Sequence, residues 1–131
     1  NSIATLYNNH FNLSIPEWRS IVVLGHTPNM SAISVSRRTS MDKVAVSRAL
    51  NKLINNGYVN REYESEDRRR SILKLTEQGE HIHQKLSNAA LQIEQILTEE
   101  LDEEEVSVIN KIFEKLTKRT ELFTEINLEA Q

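Results

Sequence analysis

Arg68, Arg69 and Arg70 follow Asp67 between two β-prone runs in the stretch 58–76, YVNREYESEDRRRSILKLT. Read as a β-hairpin, this stretch places three guanidinium groups on a protruding turn. Guanidinium forks match phosphate oxygens and sit well in a narrow, electronegative minor groove, so the chemistry this cluster suits is contact with a polyanionic duplex. Asp67 is unfavourable for such a contact. It makes sense as an internal brace, bonded to Arg61 or Arg69, and its value would be geometric because exposed ion pairs contribute little.

The preceding residues, 31–57, read as two helices joined by a tight turn. The second, about 42–56, has Val46, Leu50 and Leu53 at i, i+4, i+7, one apolar stripe. Lys43, Ser47, Arg48 and Asn51 occupy the other face. A major groove accepts one helix by its polar face. Arg48 and Lys43 suit guanine or phosphate, Asn51 suits adenine, Ser47 is adaptable, and Val44 suits a thymine methyl. Arg38, Thr39 and Ser40, at the end of the first helix of the pair and in the turn, are candidate phosphate contacts. Taken alone, this pattern is equally that of an ordinary amphipathic helix with a solvated face. The basic hairpin that follows, in the right order and at short separation, favours a helix-turn-helix with a wing.

The elements that must position these groups are mostly helical. A helix is expected over 1–12. A second starts after Ser14, with Pro16 in its first turn and Glu17 near the positive end of its dipole, and stops near Gly25. Ser31 caps a short helix with Ala32 and Val35 inward. Ser40 and Met41 form the turn, and Gly57 stops the helix of 42–56. The hairpin is expected over 58–64 and 70–75. Thr76 caps a long helix bearing Ile82, Leu86, Ile93 and Leu97, and a last helix after Asp102 carries Val106, Ile109, Phe113, Leu116 and Phe123. The expected fold class is mainly α with a small β-hairpin wing, a winged helix-turn-helix plus dimerisation helices from both termini. It is read as one unit, 1–131: dimerisation helices at 1–13 and 99–131, a DNA-binding region at 14–78 with its wing at 58–76, and a connecting helix at 77–98.

Composition agrees. The chain has 131 residues, 27% of them charged, with three Gly and two Pro, which argues against disorder. Its net charge of −3 conceals segregation. Between Arg37 and Lys74 there are ten Lys/Arg against five acids, and elsewhere six bases against fourteen acids. A local basic patch, not the whole-chain balance, is what nucleic-acid affinity needs. No apolar run approaches the roughly 18 residues of a membrane span, and NSIATLYNNHF lacks the basic and apolar regions of a secretory leader. The absence of Cys excludes disulfides and fits a cytoplasmic location.

The segments MDKVAVSRALNKLINNGYVNR and SEDRRRSILKLTEQG, with LSIPEWRSIVVL upstream, resemble the MarR family of bacterial transcriptional regulators. Asp67 and Arg69 match its Asp-x-Arg wing signature, Leu75, Thr76 and Gly79 its LT-x-x-G, and Val46, Ser47 and Arg48 its recognition-helix pattern. Gly57 and Arg61 match the helix end and the first wing strand. The resemblance implies a homodimer joined through its terminal helices, bound to a pseudo-palindromic operator on double-stranded DNA, usually as a repressor. Two departures stand out. The chain has no Cys for redox sensing, and Ser36 replaces the usual Ala of the third helix. The residues independently favour dimerisation, since Phe11, Leu91, Ile112, Phe113, Leu116 and Phe123 exceed what a small monomer covers.

The resemblance also suggests a small-molecule effector pocket where the dimer helices meet the winged region. Tyr7, His10, Phe11, Trp18 and Arg19 are the candidate lining, an aromatic set with a guanidinium that suits a planar anion. Core packing is the stronger reading of Trp18. His81 and His83, with Glu80, are poorly spaced for one ion because i and i+2 leave a helix on different faces, so no metal and no cofactor is expected. No phosphate loop, nucleophile motif or acid pair indicates an enzyme. The function expected is a ligand-responsive dimeric repressor. The alternative is a winged-helix protein–protein interaction module whose wing docks an acidic partner.

Overall fold

The computed structural model describes residues 2–64 and 67–126, and the side chains of 4–64 and 71–126. Helices α1 (Ser2–Phe11), α2 (Ile15–His26), α3 (Ala32–Thr39) and α4 (Lys43–Asn55) precede strands β1 (Val59–Glu64) and β2 (Asp67–Leu75). Helices α5 (Glu77–Thr98) and α6 (Glu103–Arg119) follow, and a 3-10 turn covers Thr120–Glu125. The fold class is the expected one, mainly helical with one antiparallel hairpin.

Helices α2, α3 and α4 each begin where a side-chain acceptor is available. Ser14 Oγ accepts from Glu17 N, Ser31 Oγ from Ser34 N at 3.1 Å, and Asp42 Oδ2 from Ala45 N at 3.1 Å. Such a cap is worth about 1 kcal/mol because it satisfies an N–H with no intrahelical partner. Between α3 and α4, Ser40 takes a left-handed backbone (φ 54°) and Met41 N–H donates to Ser36 C=O at 3.3 Å. Ser36 is buried, and its hydroxyl donates to the Met41 carbonyl at 2.9 Å. The Ser that stands in place of the usual Ala thus ties α3 to the turn.

The chain divides into two compact units, with the boundary inside α5 between Ala90 and Leu91. The core belongs to the first unit: Leu13, Ile21, Leu24, Val35, Val46, Leu50, Leu53, Val59, Leu73 and Leu86 are all buried. Full burial of each such side chain contributes about 1.5–3 kcal/mol. The α4 stripe supplies three of these residues. In the second unit α6 starts with a capping box, Asp102 with Glu105, and has no buried residue among those described.

β1 and β2 pair in register from Val59↔Leu75 to Tyr63↔Ser71. The next pair, Glu64↔Asp67, follows a break in register. Arg68, Arg69 and Arg70 therefore lie between two β2 residues whose partners on β1 are adjacent. This corrects the expected boundary: β2 starts at Asp67, not Arg70, and the arginines belong to an irregular strand end instead of the turn. A low β-propensity charge run reads as turn in isolation, whereas pairing across the hairpin extends the strand through it. Met30 adds a bridge to β2, with Leu73 N–H donating to its carbonyl at 2.8 Å. Beyond α6, Phe123 lies in the 3-10 turn and not in the last helix as expected.

The hairpin is clamped at its base. Gly57, with φ +83°, ends α4 in a conformation that a side chain disfavours. Thr76 Oγ1 donates to Gly57 C=O at 2.6 Å and accepts from Gly79 N–H at 3.0 Å, while Thr76 N–H donates to Tyr58 C=O at 3.0 Å. A Cβ on Gly79 would overlap the Tyr58 carbonyl oxygen, a backbone atom that cannot swing aside. Gly79→Ala is therefore expected to lower unfolding free energy by about 1–3 kcal/mol. Urea unfolding measures this, and a midpoint unchanged from the parent would contradict the clamp.

Candidate nucleic-acid interface

The surface with nucleic-acid chemistry is built on α3, α4 and the hairpin. Burying Val46, Ala49, Leu50 and Leu53 orients α4 so that Lys43, Val44, Ser47, Arg48 and Asn51 all face solvent. Val44 is 56% exposed, an apolar group held in water on a face otherwise made of donors and acceptors. Arg38 and Ser40 are also exposed. Arg37 joins them: with Arg38, Ser31, Ser34, Thr27 and Asn29 it lines a depression at the start of α3. The RR dipeptide was the only sequence signal for Arg37.

Thr39 is a correction. It is 1% exposed, and its hydroxyl donates back to the Val35 and Ser36 carbonyls at 2.9 and 3.1 Å. A threonine hydroxyl satisfied inside its own helix is not available to a phosphate. Its sequence position at a turn gave no sign of this, because burial is set by the packing of α3 against α2 and α4.

Asp67, Arg68, Arg69 and Arg70 have described backbones on β2, but their side chains lie outside the described residues. The brace between Asp67 and Arg61 falls there too. Arg61 itself is half-buried, and its Nε has no hydrogen-bond partner among the described residues. Lower on the hairpin, Lys74 and Glu62 pair at 2.8 Å, both well exposed, which contributes little stability. Tyr63 on β1 stands exposed next to the break in register, and an aromatic amid NREYESED was its only signal.

The aromatic candidates come together only in part. Tyr7 is buried between Phe11 and Trp18, with ring centroids 5.8 and 4.7 Å away. Trp18 Nε1 is buried with no hydrogen-bond partner among the described residues. His10 is exposed and Arg19 half-buried, and neither has a ring contact with this cluster. His83 meets His26 edge to face at 5.6 Å. Among the described residues no three His, Asp or Glu side chains converge as an ion would require, and no described helix is long and apolar enough to cross a membrane.

Comparison with known proteins places this geometry. A family model described as MarR family matches residues 11–70, which hold α2 to the start of β2. The crystal structure of a MarR/EmrR family transcriptional regulator from Acinetobacter sp. ADP1 is 32% identical, with a TM-score of 0.75, over 90% of this chain and 83% of that one. Streptococcus pneumoniae FabT, in a crystal structure in complex with DNA, is 28% identical with a TM-score of 0.76, over 90% of this chain and 83% of that one. The HTH-type transcriptional regulator BilQ of Clostridium symbiosum (strain WAL-14163) is 26% identical over 101 residues, 77% of this chain and 70% of that protein. With its winged helix-turn-helix, its exposed α4 face and its match to these regulators, the chain belongs to the MarR family of transcriptional regulators.

Proposed function

We propose that the protein is a sequence-specific DNA-binding regulator that acts in the cytoplasm as a homodimeric, ligand-responsive repressor, and that it is not an enzyme. The observation that carries this reading is the split of α4. Its apolar stripe is locked into the core, and Lys43, Ser47, Arg48 and Asn51 are left free to reach base edges. The wing of 58–76 would lie on the minor groove or backbone through Arg68, Arg69 and Arg70, with Arg37, Arg38 and Ser40 on phosphates. FabT, whose structure holds DNA, supports the same use of this fold.

Dimerisation through the terminal segments, 1–13 and 99–131, is supported by apolar side chains left exposed among the described residues. Leu91, Ile112, Phe113, Leu116 and Phe123 are all at least half exposed, Phe113 by 63%. Ile109, Ile112, Phe113 and Leu116 recur at helical spacing, which makes one face of α6. A two-fold pair would set two α4 helices about 34 Å apart on a pseudo-palindromic operator. The cluster of Tyr7, Phe11 and Trp18, at the junction of α1 and α2, is where a planar effector would act to shift the DNA-competent population.

Three outcomes follow. DNA affinity should fall steeply with salt, and each phosphate-contacting Arg removed from the wing should flatten the log–log slope by about 0.9; filter binding between low and moderate salt measures it. No retardation of any DNA at low salt would favour the protein–protein module instead. Arg48→Ala should cost about 1–3 kcal/mol and relax discrimination at one base position, as competition with single-base operator variants would report. Phe113→Glu should shift the protein to monomer in sedimentation and weaken operator binding on the order of a hundredfold, the loss of bivalency.

A further inference from the structure

Glu17 is 4% exposed, on the first turn of α2, and its two carboxylate oxygens differ in their partners among the described residues. Oε1 accepts from Ser14 Oγ at 2.9 Å and faces Lys52 Nζ at 3.5 Å. Oε2 is buried with no hydrogen-bond partner among the described residues. The pair is lopsided: the Lys52 side chain is 63% exposed and that of Glu17 only 5%. A buried carboxylate stripped of its cation is costly, whereas an exposed lysine loses little, so the attraction acts mainly to hold Lys52 down onto α2. Lys52 is on α4, next to Asn51 and one turn from Arg48. Glu17 is next to Trp18, whose ring is 4.7 Å from Tyr7. Among the described residues, this cross-helix ion pair ties the turn of α2 that also carries Trp18 to the helix assigned to base reading.

We propose that Glu17 and Lys52 are positioning residues that set the pose of α4 on DNA and couple that pose to the Tyr7–Trp18 cluster. This rests on the DNA-binding reading above and adds its route of regulation. Coupling between two sites is reciprocal, so DNA bound at α4 must perturb the aromatic cluster just as an occupant of the cluster would perturb α4. Trp18 is the only tryptophan in the chain, which makes its emission a direct report.

The experiment uses the full chain and genomic DNA fragments selected by that chain. On saturation with a selected fragment, Trp18 emission is expected to change. In Lys52→Met, which keeps the aliphatic stem, fragment affinity is expected to fall on the order of fivefold or more. At saturating DNA the emission change is lost and the salt slope stays as in the parent, while the urea midpoint falls because the buried Glu17 carboxylate has lost its cation. Glu17→Gln is expected to act alike on affinity and emission, and the double variant to be no weaker than either single one. Trp18 emission unmoved by DNA in the parent would overturn the proposal. So would a response that survives in Lys52→Met while the salt slope drops by about one, since Lys52 would then be a plain phosphate contact. Additive losses in the double variant would overturn it as well. Capture of no fragment at all is a different failure, because it would remove the DNA-binding reading itself.

Discussion

The geometry of the molecule hangs on the junction where α4 ends and α5 begins. Gly57 turns the chain out of α4 with a left-handed backbone, and Thr76 closes the hairpin by bonding both Gly57 and Tyr58. Gly79 lets α5 press directly against the Tyr58 carbonyl. Three elements thus meet through backbone atoms, which cannot repack as side chains do. The consequence is a wing with a defined position relative to α4. Without that rigidity, the helix face and the strand end would be two surfaces placed independently. With it, their relative arrangement is set during folding.

Electrostatics follows the same division of labour. The region from Arg37 to Lys74 gathers ten of the chain's sixteen basic residues, while acids dominate elsewhere. These bases lie on α3, α4 or the hairpin, and those of α3 and α4 are exposed. Exposed charges of this kind add little to stability, so they are free to serve long-range attraction to a polyanion. Among the described residues Glu17 is a buried acid, and its place on α2 beside Ser14 and Lys52 sets its ion pair apart from the solvated pairs Lys74–Glu62 and Lys118–Glu114.

The two compact units carry different kinds of unfinished business. The first has a closed core and an exposed polar face. The second has apolar side chains along α6 and no buried residue among those described. A helix that shows Ile112, Phe113 and Leu116 to water has not buried the face that its sequence pattern requires. The first unit holds the buried core, and the second leaves this face of α6 exposed.

Much of this could be read from residue order. Helix starts were legible because Ser14 and Ser31 each precede a periodic run and supply an acceptor to bare N–H groups, and Asp42, read as the first residue of its helix, proves to be the cap. The stripe of Val46, Leu50 and Leu53, the stop at Gly57 and the cap at Thr76 depend on local periodicity and backbone preference, which sequence encodes directly. Other features depend on what lies across space. Thr39 looked like a turn hydroxyl until packing buried it. The arginines looked like a turn until pairing with β1 drew them into an uneven strand end. Met30 gave no sign of its bridge to β2, and Glu17 none of its link to Lys52. Sequence alone determined which elements form, because propensity, capping and periodicity are local. Tertiary structure alone decided which polar groups remain available, because burial and cross-chain pairing depend on neighbours remote in the chain.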